Sequence, residues 1–259
     1  MKTNLPALRK EFTELVIAGS TERAEEAFSE AAEKFGDLAI VEVLGSIEPQ
    51  VTSLHLSSFD GGKLSLATLL VPPKAWADSL AFFAAKWRDE DIEDEPEVLA
   101  ESLFAHIHGI VFSTDDQTRR SELLAAAAAT DWGITALTIL FSMAPEDILE
   151  IADRIDTMQS YVTAATESEH DVVPLAIELY KASPDSWERA LYELFPHYLH
   201  DPDSVRERSD DDEEEEEART THRETKELLY QLRKLVPTQS KTKDRTAKKH
   251  KSLGSDIFS

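Results

Sequence analysis

Apolar residues recur along most of the chain at helical spacing. Leu8, Phe12, Leu15 and Val16 step by four, three and one, which sets them on one helix face, and Pro6 suits its first turn. Residues 22–35 follow the cap candidates Ser20 and Thr21 and stop at Gly36. Residues 38–47 are a nearly continuous apolar run, which fits a buried helix or a buried strand. Between 51 and 70 the turn-like Asp60-Gly61-Gly62 leaves a short hairpin open beside a helix. Pro72 and Pro73 then open a helix predicted to run through Trp87, with Trp76, Leu80, Phe83 and Trp87 on one face. Residues 89–95 read as an acidic loop. Helices over 98–112, 117–130 (capped by Ser113 or Thr114), 134–143, 145–166, 173–182 and 187–199 complete an all-α list.

The same pattern occurs twice. Shifting the chain by 96 residues aligns 21–49 with 117–145 without a gap: Arg23 meets Arg119, Glu26 meets Glu122, Leu44 meets Leu140, Ser46 meets Ser142 and Pro49 meets Pro145. Farther on, Pro73-x-x-Trp76-x-x-x-Leu80 recurs as Pro184-x-x-Trp187-x-x-x-Leu191. The expected organisation is two similar helical lobes from an internal duplication, 5–95 and 96–203, with Trp76 and Trp187 as equivalent anchors. An acidic linker, 204–218, and a basic tail, 219–259, complete the chain.

Composition narrows the function. With 259 residues and 41% hydrophobic positions the chain has enough apolar mass for a core. It has no cysteine, which excludes disulfides, thiol catalysis and thiolate metal sites. Eight glycines and eleven prolines are too few for a turn-dense β-sandwich. No apolar stretch approaches the roughly 18–20 residues of a membrane helix, and the N-terminus has no signal-peptide pattern, so the expected location is cytoplasmic.

Charge divides the chain. Its net charge is −24, and all of it resides in residues 1–205, where 14 basic residues face 38 acidic ones. The body is thereby a poor direct ligand for nucleic acid and a good one for a basic protein. Asp210 to Glu217 is a block of eight carboxylates, whereas 219–259 carries a net +7. Within that tail Leu228, Leu229, Leu232, Leu235 and Val236 form an apolar stripe on a helix of about 222–236, flanked by Lys226, Arg233 and Lys234. So short a helix is marginal alone, and the expectation is that it orders on a partner offering an apolar groove rimmed by carboxylates. Residues 241–251 are basic without an aromatic platform, which fits phosphate contact or an address signal. Leu253, Ile257 and Phe258 are further candidate partner-binding residues.

Chemical motifs are sparse. Asp60-Gly61-Gly62-Lys63 lacks the spacing of a phosphate loop. His106-x-His108 places two imidazoles two residues apart on a helix, pointing in different directions. His197 and His200 with Asp201, and the carboxylates Glu146, Asp147, Glu150, Asp153 and Asp156 with Glu167 and His170, offer metal-ligand residue types without a second facing set. No catalytic residue, cofactor or metal is assigned. The reading is a non-enzymatic adaptor whose acidic body binds a basic partner and whose tail contacts a second element. The alternatives are a nucleic-acid mimic or acidic chaperone of a basic nucleic-acid-binding protein, and a helical metal-dependent enzyme.

Overall fold

The structure, a computed structural model, describes residues 5–58, 65–154, 172–195 and 214–237, the first ten of the last stretch as backbone only. Among the described residues the chain is all-α, with no strand. The first half comprises α1 (Leu5–Ile17), α2 (Thr21–Phe35), α3 (Asp37–Leu44), α4 (Pro49–Leu56), α5 (Leu66–Leu70) and α6 (Pro73–Leu80). A 3-10 helix (Phe83–Lys86) and α7 (Asp89–Asp94) lead to α8 (Pro96–Val111), α9 (Gln117–Ala128), α10 (Asp131–Phe141), α11 (Pro145–Arg154), α12 (Val172–Ala182) and α13 (Pro184–Leu194). The last element is α14 (Glu214–Lys234).

Local chemistry settles the ambiguous segments. α3 (Asp37–Leu44) takes up most of the 38–47 run as helix, and the described residues of 51–70 fall mainly in the helices α4 and α5, with no strand. Pro49 starts α4 after an extended Glu48, while the Ser65 hydroxyl accepts from Thr68 N–H and caps α5. The helix begun by Pro73 stops short of Trp87. The Ser79 hydroxyl takes the Trp76 carbonyl at 2.7 Å, and the chain tightens into the 3-10 helix beyond it. The N-cap of α9 is Asp116, whose carboxylate accepts from Thr118 and Arg119 N–H, in place of Ser113 or Thr114.

Where an acidic loop is expected over 89–95, residues Asp89–Asp94 form the helix α7. Asp91 accepts from Arg88 N–H at 2.9 Å and from its guanidinium at 2.7 Å, which holds the carboxylate below its usual range. Acidic residues in a first turn complement the helix dipole, and Ile92 is fully buried beneath them.

Several packing pairs recur between the halves. α1 packs on α2 and α3 as α8 packs on α9 and α10; α2 packs on α3 as α9 does on α10; α5 lies against α2 and α3 as α12 lies against α9 and α10. The tryptophan helices break the correspondence. α6 packs on α4 and crosses to α9 of the other half, whereas α13 packs on α10 and α12, so the helices that carry Trp76 and Trp187 have different neighbours. The difference follows from what each helix joins. At the junction between the halves Trp132 donates its indole N–H to the Ala77 carbonyl at 2.8 Å, and Arg119 donates to the Thr68 and Val71 carbonyls. α13 instead turns Trp187 edge-on to Phe141, 5.6 Å between ring centres.

At the centre lies α10, with every residue from Gly133 to Phe141 buried. Its hydroxyls return to its own carbonyls, Thr135 to Asp131 and Thr138 to Ile134, so an all-round apolar environment strands no polar group. Buried apolar side chains of both halves, and of α14, form one continuous core. No single helix among the described residues is long and apolar enough to cross a membrane.

Candidate functional site: a carboxylate-rimmed groove

The face built by α7, the 3-10 helix, α8 and α10 forms a groove, and α14 lies in it. Thr225, Leu228, Leu229 and Leu232 follow the i, i+3, i+4, i+7 spacing of one helix face. Leu229 and Leu232 are fully buried, and Leu228 and Thr225 nearly so. Leu235 and Val236 are half-buried, Val236 against the core. On the floor, the Thr225 and Ser142 hydroxyls lie 3.0 Å apart, and Ser142 also donates to the Ile139 carbonyl at 2.7 Å.

Along the rim the acids come from α7. The Tyr230 hydroxyl donates to Glu93 at 2.8 Å, Lys226 pairs with the same carboxylate at 3.5 Å, and Arg233 pairs with Asp89. The Glu93 acceptor raises the Tyr230 phenol above its ordinary pKa. The environment expected of an outside partner is thus found on the chain itself: an apolar groove with a carboxylate rim. Leu228, Leu229 and Leu232 are engaged by this body. Leu253, Ile257 and Phe258 lie outside the described residues.

The remaining candidates are kept apart by the fold. His106 faces Phe83, with ring centres 4.7 Å apart, while His108 lies between Phe104 and Phe112. Burial, assisted by the Lys86 cation, pushes His106 down to about 3, and its Nε2 has no hydrogen-bond partner. Glu146, Asp147, Glu150 and Asp153 stand on α11, and no group of three potential metal ligands occurs among the described residues. Residues 60–63, Asp156, Glu167, His170, His197, His200 and Asp201 lie outside them.

One polar cluster was invisible in the sequence. Glu25 on α2 accepts from Ser65 Oγ at 2.7 Å and from Leu66 N–H at 2.9 Å, and shares a 2.8 Å hydrogen bond with His55 Nε2 on α4. Burial works against its charge, but the bonds from His55 and Ser65 outweigh it and leave the carboxyl below its ordinary pKa. A serine, a histidine and an acid meet here in the wrong order for nucleophilic catalysis. Both Ser65 and His55 bond the carboxylate, where a catalytic arrangement needs a serine–histidine bond. What the arrangement does is tie α2 and α4 to the start of α5.

Comparison of the chain with protein-family models, with curated proteins and with solved structures gives no match.

Proposed function

We propose that this protein is a non-enzymatic interaction protein, an adaptor whose acidic helical body receives a cationic helix-bearing surface of another protein. The observation that carries this reading is the seating of α14: an amphipathic helix with Lys226 and Arg233 beside its leucines sits against Asp89 and Glu93 of the body. Leucine burial supplies affinity, because apolar area leaves water. The exposed ion pairs add little strength and instead select cationic over anionic helices.

The test is a binding titration of the full chain with a synthetic cationic amphipathic peptide carrying leucines at helical spacing. Saturable binding is expected, weakened in the D89K/E93K variant and absent for a peptide of the same composition with its leucine spacing scrambled. Equal binding of both peptides would reduce the body to a nonspecific polyanion and overturn the reading.

A further inference from the structure

We draw no further inference here: the strongest candidate, the outward face of α8, where Val98 is more than half exposed and Ala105 is exposed beside the half-buried rings of Phe104 and Phe112, is an apolar helix face, and nothing in the structure shows what covers it.

Discussion

The hydroxyls of Ser142 and Thr225 lie 3.0 Å apart across 83 residues of chain, both buried where α10 meets α14. A hydroxyl pair between apolar helices gives little net stability but fixes register, since a shift of one residue would leave the Thr225 hydroxyl buried without its Ser142 partner. Thr225→Val keeps the shape and strands Ser142 only in part, because Ser142 retains its bond to Ile139. The expected cost is about 1 kcal/mol, measured by urea denaturation. Combining it with Ser142→Ala should cost less than the sum of the two single changes, the signature of a direct pair.

Gly133 marks how closely α9 and α10 approach. A Cβ added there would sit 2.0 Å from the Ala127 carbonyl oxygen and 2.7 Å from Thr130 Oγ1. Backbone cannot swing aside as a side chain does, so Gly133→Ala should destabilise the protein by about 3 kcal/mol or more. Gly45 supplies the comparison. A Cβ there meets Val41 O at 3.3 Å and the Pro72 ring at 3.4 Å, and Gly45→Ala should stay within about 1 kcal/mol. Similar losses for the two substitutions would show that the close approach at Gly133 is not what constrains it.

Helix periodicity was legible wherever apolar residues outnumbered charges along one face, as in α1, α2 and α9. It failed at α7, where a single buried residue, Ile92, sits among carboxylates and a loop is the ordinary reading of such a run. The stripe on α14 was equally legible, but its receiving surface was not. Glu93, Ser142 and the α8 face are separated along the chain and meet only in three dimensions. The same holds for Glu25, His55 and Ser65, which come from separate elements and carry no local pattern. Trp76 and Trp187 show the opposite error, in which matched spacing concealed different packing.

Glu25 is the polar tie of the first half, and its pH dependence has a definite sign. Its carboxyl titrates below the ordinary value in the folded chain, so the folded state holds the proton less well than the unfolded one. The stabilisation is therefore complete above the unfolded pKa, about 4.3 for a glutamate, and is lost as pH falls through the folded value. Glu25→Gln removes charge-assisted acceptors from Ser65, Leu66 and His55, with an expected cost of about 1–3 kcal/mol at pH 7. The gap between wild type and variant should narrow as pH falls below the unfolded value of about 4.3. A gap unchanged between pH 7 and 3.5 would mean that the ionised carboxylate is not the stabilising species.

His106 titrates in a separate window. Packed on Phe83 and near Lys86, it is held to about 3, well below the roughly 6.5 of an unfolded histidine. The unfolded chain thus binds the proton that the folded chain refuses, and stability falls as pH drops from about 6.5 toward 3 while staying level above 6.5. At pH 5 the loss is about 2 kcal/mol, obtained from 1.36 kcal/mol per pKa unit over the interval from 6.5. His106→Phe keeps an aromatic ring against Phe83 and removes the proton site. The stability difference between wild type and this variant, followed by chemical denaturation, cancels the titration of the other histidines. It should shift by about 2 kcal/mol in favour of the variant between pH 7.5 and pH 5, above the range in which Glu25 contributes. A difference that stays constant across that interval would place His106 in a solvated setting where the folded chain accepts its proton as readily as the unfolded one.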